Sequence, residues 1–307
     1  MLLDIDNCTA ATYGLLVMYA WDMCDGALDP ASSAIDPRIA ADGWEVTGII
    51  TGADDVIVSG PGGIRQARIS AGGDNDRKRY GYVARNQNVP DRYIAVIRGT
   101  DGAEEWIDDC VFVMTTPGGD FPGGVETGFF DIYKSLRYFP LNAPDKSIPL
   151  VQGIEDVVGE KGRILVLGHS LGSALATYLT FALAGSASLG GSRVSAVLFA
   201  SPKTGNHEFV GAFDGQVGEY IVINYEHDLV PRVPPFDITH LDIYRTLPAC
   251  RIITDETAKA KVNNDDKACC HHLICYVAML CPEVYGKAAG AAGWTDDDRK
   301  CASCVSA

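Results

Sequence analysis

Five consecutive residues constrain the fold more than any others in this 307-residue chain: Gly168-His169-Ser170-Leu171-Gly172. A Gly-x-Ser-x-Gly match alone carries little weight in a chain with 33 glycines, where chance supplies on the order of 0.2 such matches. The setting carries the weight. The apolar run Ile164-Leu165-Val166-Leu167 leads directly into the motif, and the apolar stretch from Leu171 to Ala184 leads directly out. A buried strand, a sharp turn and a helix lift a serine oxygen above the top of a sheet. Glycines at 168 and 172 leave room for the strained turn and a close helix, and Ala174 and Ala176 keep the first helical turn thin. The plainer reading is a tight strand-to-helix turn whose serine merely caps the helix.

The surrounding chain alternates in the same way. Tyr93 to Ile97 is a short apolar run ending in Arg98-Gly99-Thr100, a buried strand and its turn. Arg163 to Leu167, Val194 to Phe199 and Tyr220 to Asn224 read as further strands, with helices over Gly128 to Phe139 and Ile148 to Val158. Apolar strands separated by helices predict an α/β fold, a mostly parallel sheet with helices on both faces. Gly60 to Asn88, rich in Gly, Asp and Arg, reads as a surface excursion between strands, and Pro140 to Pro149 and Pro231 to Pro235 as loops. No internal repeat or low-complexity linker divides the chain, so one domain over residues 1–307 is expected.

A serine hydroxyl attacks only when a histidine takes its proton and a carboxylate orients that histidine. In this fold class the chain order is Ser, acid, His. The strand ending at Asn224 runs into Tyr225-Glu226-His227-Asp228-Leu229-Val230-Pro231, which puts Asp228 on a loop at a strand's carboxyl end. Glu226 is a weaker acid, and Asp214, Asp237 and Asp242 are placed less well. Beyond Asp228 only His240, His271 and His272 remain. His240 sits in an alternating stretch like an edge strand, while His271-His272 opens an apolar helix from Leu273 to Leu280. The residues alone do not choose between them.

Charge narrows the partners. Forty Asp+Glu against 25 Lys+Arg give a net charge of −15, which repels phosphate backbones and disfavours nucleic acid, polyanions and anionic membrane surfaces. No run of 18 or more apolar residues predicts an integral membrane segment. Met1 to Asp6 carries acid where a signal peptide needs a basic start, and Ala10 to Trp21 reads as an ordinary helix. Localisation stays open between export with a leader removed and the cytoplasm. Seven of the ten cysteines lie between Cys250 and Cys304, which reads either as a disulfide-stapled C-terminal segment, 250–307, or as buried thiols. Cys301 and Cys304 have zinc-knuckle spacing but lack a second such pair, so no metal is expected.

At this point the chain resembles the class 3, fungal-type triacylglycerol lipases of the α/β-hydrolase superfamily. Ile97-Arg98-Gly99-Thr100, followed by Trp106 and Asp108, looks like that family's oxyanion strand and loop. Gly168 to Gly172 with Ala174-Leu175-Ala176 is similar to its nucleophile elbow, and Phe199 to Asn206 to the strand that follows. Asn224 to Pro231 resembles its acid loop, and a His five residues before a Tyr in a terminal helix resembles its base. The resemblance covers roughly Tyr80 to Leu280. It implies Ser170 as nucleophile, Asp228 as orienting acid and His271, five before Tyr276, as base, with His272 in reserve. It implies an oxyanion hole from the backbone N–H groups of Leu171 and Thr100. It also implies a lid over residues 101–118, where Trp106 and Ile107 would form an apolar inner face amid five acids. Two departures stand out: Glu126 replaces the histidine of the family's Val-His-x-Gly-Phe, and Ser173 replaces a usual glycine.

These observations predict a serine carboxylic-ester hydrolase that needs no cofactor and acts on neutral acyl esters such as acylglycerols, with a lipid–water interface as its workplace. Phospholipase and aromatic or polymer esterase are alternatives on the same fold. An acyltransferase and a non-catalytic ligand-binding relative are the other readings.

Overall fold

A computed structural model describes residues 2–23, 35–53, 77–99, 112–235, 244–290 and 301–306. Its strands, in chain order, are β1 (Trp44–Gly52), β2 (Lys78–Asn86), β3 (Arg92–Ile97), β4 (Met114–Thr115), β5 (Val125–Glu126), β6 (Arg137–Pro140), β7 (Ile148–Pro149), β8 (Arg163–His169), β9 (Val194–Phe199), β10 (Glu219–Tyr225), β11 (Cys250–Ile253), β12 (Lys261–Val262) and β13 (Val305–Ser306). Nine of them form one sheet in the order β11-β10-β9-β8-β3-β2-β1-β6-β7. From β3 to β11 every pairing is parallel. From β3 through β2, β1, β6 and β7 every pairing is antiparallel.

The parallel half is apolar without interruption because both its faces are covered. Ala95 and Ile97 of β3, Val166 of β8, Leu198 of β9 and Val222 of β10 join one core, under helices Thr127–Ser135, Leu150–Val158, Leu171–Gly185 and His207–Gln216. Ile94 and Val96, Leu167, Val197 and Phe199, and Ile221 and Ile223 join the other, under helices Asn7–Asp22 and Leu273–Leu280. The two sets alternate along each strand, as the pleat requires.

The antiparallel half departs from the sequence reading. Residues 78–86, expected to lie in a surface excursion, form β2 in the middle of the sheet, with a burial pattern that is closed from Arg79 to Ala84. Charged ends and Gly81 hide it from an apolar-run search. Gly81 is required, since a Cβ there would sit 1.7 Å from the carbonyl oxygen of Val96 on β3. The helix expected to reach Phe139 ends at Ser135 and hands over to β6, and the one expected from Ile148 begins at Leu150 after the short β7.

The N-terminal helix crosses Leu273–Leu280 closely, at Gly14, where a Cβ would lie 2.8 Å from Val277. A disulfide from Cys8 to Cys281 fastens the pair. A second joins Cys269 to Cys304, so the cysteine-rich segment is stapled. Among the described residues, no helix is long and apolar enough to cross a membrane.

Candidate active site

Strand β8 ends at His169, and Ser170 turns the chain with φ 58° and ψ −131° into the helix Leu171–Gly185. A non-glycine residue in the left-handed region is strained, and the surroundings hold it there. The Ser170 N–H donates to the carbonyl of Phe199 on β9 at 3.0 Å. The same carbonyl accepts the Ser173 hydroxyl at 2.7 Å, so the serine that stands where a glycine was expected ties the elbow to β9. Neither flanking glycine can carry a side chain. A Cβ at Gly168 would lie 2.5 Å from the Gly172 carbonyl, and one at Gly172 would lie 2.4 Å from those of Ile97 and Arg98. These close contacts press the elbow against the end of β3.

The acid comes from the loop after β10. Asp228 is 2 % exposed, and its carboxylate is fully engaged. Oδ1 accepts the Val230 N–H at 2.9 Å, while Oδ2 accepts the Tyr276 hydroxyl at 2.7 Å and the ring N–H of His271 at 2.9 Å. Lys203 secures the loop beyond it by donating to the carbonyls of Arg232 and Pro234. Glu226 turns elsewhere and accepts the Asp255 N–H. Asp214 accepts the Tyr220 hydroxyl. Asp237, Asp242 and His240 lie outside the described residues.

His271 ends the five-residue helix Lys267–His271, and His272 caps the next one. Of these two neighbours, His271 is the one whose ring reaches Asp228. A carboxylate only accepts, so Nδ1 carries the ring proton and Nε2 is left as a bare acceptor. That Nε2 is buried and has no hydrogen-bond partner among the described residues.

Around these groups the electrostatics favour neutral neighbours. Burial, reinforced by the adjacent Asp228 charge, pushes the Tyr276 hydroxyl well above the ordinary tyrosine range, so it remains a donor. Burial holds His169 well below the ordinary histidine range. The Arg98 guanidinium donates to the carbonyls of Arg79 and Gly99 and lies over the rings of Tyr80 and Trp21.

For the oxyanion, Leu171 is the first residue of its helix, and its N–H is among those a helix leaves without an internal partner. Thr100 lies outside the described residues, as do Trp106 and Ile107. The approach to Thr100 is described: a Cβ at Gly99 would lie 3.0 Å from the Ser170 Cβ, so the chain leaving β3 runs against Ser170. Of the lid span 101–118, residues 101–111 are outside the described set, and Met114–Thr115 pair with Val125–Glu126.

Two residues of the site carried no assigned role in the sequence. Tyr276 served only to mark the register of the histidine, yet its hydroxyl bridges Asp228 Oδ2 and the Tyr225 N–H. Its position in an apolar helix gave no hint that it was more than core. His169 lay inside the elbow motif with no function attached.

Residues 94–238 match the family described as Lipase (class 3). Phospholipase A1-II 6 of Oryza sativa subsp. japonica is 33% identical over 163 residues, covering 45% of this chain and 39% of its own length. Secreted mono- and diacylglycerol lipase A of Penicillium cyclopium is 26% identical over 165 residues, covering 53% of this chain and 49% of its own. The chain thus spans less than half the length of these relatives. The triacylglyceride lipase of Rhizomucor miehei superposes with a TM-score of 0.55 at 20% identity, over 81% of this chain and 80% of that one. The fold is therefore that of the α/β-hydrolases.

Proposed function

We propose that this chain, whose residues 94–238 match the class 3 lipases, is a serine carboxylic-ester hydrolase that cleaves neutral acyl esters through an acyl-enzyme on Ser170. One observation carries the reading: His271 Nδ1 lies 2.9 Å from the Asp228 carboxylate, and the other ring nitrogen, Nε2, is buried. With the Nδ1 proton donated to Asp228, Nε2 is the acceptor a serine hydroxyl needs to lose its proton.

The reaction follows from those atoms. Ser170 Oγ attacks the ester carbonyl as His271 Nε2 takes its proton, and the carbonyl oxygen becomes an oxyanion. The Leu171 N–H and the backbone at Thr100 receive it, each donor worth about 3–4 kcal/mol in the transition state. Asp228 stabilises the imidazolium, which protonates the leaving alcohol. Water, deprotonated by the same nitrogen, then releases the acid and restores Ser170.

Ser170 and His271 are both buried, so a substrate requires something to move. The span read from the sequence as a lid, 101–118 with Trp106 and Ile107, is the proposed cover. A net charge of −15 favours uncharged or zwitterionic lipids over anionic ones. Acylglycerols are the first choice. The rice relative's name, phospholipase A1, adds a phospholipid as a second reading.

The test is hydrolysis of p-nitrophenyl esters from short to long chain, dioleoylglycerol and dioleoylphosphatidylcholine by wild type and Ser170→Ala. Ester cleavage by wild type alone is the expected result. A mutant that keeps its rate, or a wild type inert on every ester, sinks the reading. Fatty acid released faster from the phospholipid than from the diacylglycerol selects the second reading.

A further inference from the structure

Two imidazole rings lie side by side in the interior next to the nucleophile. His169 and His271 have ring centroids 4.7 Å apart and are tilted by 32°. They come from opposite ends of the architecture: one ends the central strand β8, the other ends the short helix Lys267–His271. His169 Nε2 is 2.9 Å from the backbone carbonyl oxygen of His271. A carbonyl only accepts, so the His169 proton sits on Nε2 and its Nδ1 is bare. That Nδ1 is itself buried without a hydrogen-bond partner among the described residues.

An uncompensated buried acceptor is an unfavourable way to fill space, and an apolar ring of similar size would avoid it. What the imidazole supplies instead is a donor at one place. The helix bearing His271 breaks at His272, whose φ −59° and ψ 131° are not helical, so the helix does not continue to supply a donor for the His271 carbonyl. His169, the residue before Ser170, supplies one.

We propose that His169 is a positioning residue for the hydrolysis: its Nε2–H holds the His271 backbone at a fixed distance from the nucleophile. The proposal rests on the reading of Ser170, Asp228 and His271 given above. His169 is one peptide bond from Ser170, so the link connects Ser170 to the His271 backbone through the His169 side chain. Asp228 sets which way the His271 ring faces, and His169 sets where its backbone stands. Error in either coordinate misaligns Nε2 and the hydroxyl, and a misplacement of about 1 Å can cost on the order of 100-fold in rate. His169 also suits its place by remaining uncharged. A cation at 4.7 Å would oppose the positive charge that His271 gains during attack, and burial keeps His169 neutral.

The experiment compares His169→Phe, which keeps a planar ring and loses the donor, with His169→Gln, whose amide N–H can reach the same carbonyl. Wild type and Ser170→Ala run beside them on p-nitrophenyl butyrate, with melting temperatures for all. The expected result is a fall in kcat of about 10- to 100-fold for the phenylalanine variant, KM within about 3-fold of wild type, and recovery to within about 5-fold by glutamine. A residue needed only for packing would be replaced better by phenylalanine than by glutamine. Wild-type kcat in His169→Phe, or a glutamine variant no better than it, overturns the proposal. If His169→Phe does not fold, His169→Asn takes its place, since the shorter amide cannot span the gap. A Gln variant at least 10-fold faster than the Asn variant supports the proposal, and equal rates overturn it. Failure of the underlying reading looks different: Ser170→Ala then retains the wild-type rate.

Discussion

Ser170 and His271, proposed as partners in one site, are held by different construction. The serine arm is continuous chain: a central strand, one strained residue and a helix buried along most of its length, held by backbone hydrogen bonds to β9 and by glycine contacts with β3. The histidine arm is a five-residue helix near the end of the chain, far too short to be stable alone. It is held from outside, by Asp228 on the ring, His169 on the backbone and the Cys269–Cys304 disulfide two residues away. The serine arm carries its own rigidity. The histidine arm borrows its rigidity from three separate parts of the chain.

If this contrast holds, loss of the proposed nucleophile should be the most severe change, and changes to supports should tell on the histidine arm. Ser170→Ala is expected to lower kcat/KM by about 10⁶, and Asp228→Asn by about 10⁴, both read from initial rates on a p-nitrophenyl ester. The disulfides separate the arms further. By loop entropy, opening Cys8–Cys281, with its sequence separation of 273, should cost about 5–6 kcal/mol, against about 4 kcal/mol for Cys269–Cys304 at 35. The activity ranking should be the reverse. With both partners changed to Ala, the first variant keeps kcat within about 2-fold while folded, and the second loses about 10-fold. Urea denaturation and kcat at a temperature where both variants are folded check this. Equal kcat in the two would mean that the disulfide beside His271 only stabilises the fold.

Tyr276→Phe tests a lighter support. It removes one donor from Asp228 and an acceptor from the Tyr225 N–H, for a loss of about 1–3 kcal/mol in stability and a drop in kcat of about 3- to 10-fold. Denaturation and initial rates would measure both.

The smallest effect on turnover is expected at Glu126, which touches neither arm's reacting atoms. Its carboxylate caps the helix Thr127–Ser135 through the Phe129 N–H, and burial pushes it up to about 7 from 4.5. Because the folded state holds this proton more tightly than the unfolded one, Glu126 favours folding most below pH 4.5, and that contribution is lost as pH rises to about 7. Glu126→Gln should therefore leave kcat unchanged and remove up to about 3 kcal/mol of the stability decline between those values. Denaturation of both proteins at pH 5 and pH 7.5 reads the difference. An identical decline in the two would contradict it.

The contrast between the arms also explains what the sequence could convey. The elbow was readable because strand, turn and helix are contiguous, and each has a local signature: an apolar run, two glycines and a serine, and a second apolar run. Asp228 was readable for a related reason, since it closely follows a recognisable strand. His271 was not separable from His240 and His272 by residue pattern, because its role is set by Asp228, 43 positions earlier. Cysteine pairing depends likewise on where distant segments come to rest. Strand β2 was missed for a different reason. It sits in the antiparallel half, where charged ends and a glycine replace the unbroken apolar run.

The packing of Asn7–Asp22 against Leu273–Leu280 has a consequence for how the protein is made. Asn7–Asp22 leaves the ribosome long before Leu273–Leu280 does, so until the later helix appears one flank of the earlier one lacks that cover. The Cys8–Cys281 disulfide, whose partners are 273 positions apart, can close only after both have been made, and this pairing is therefore a late event in folding.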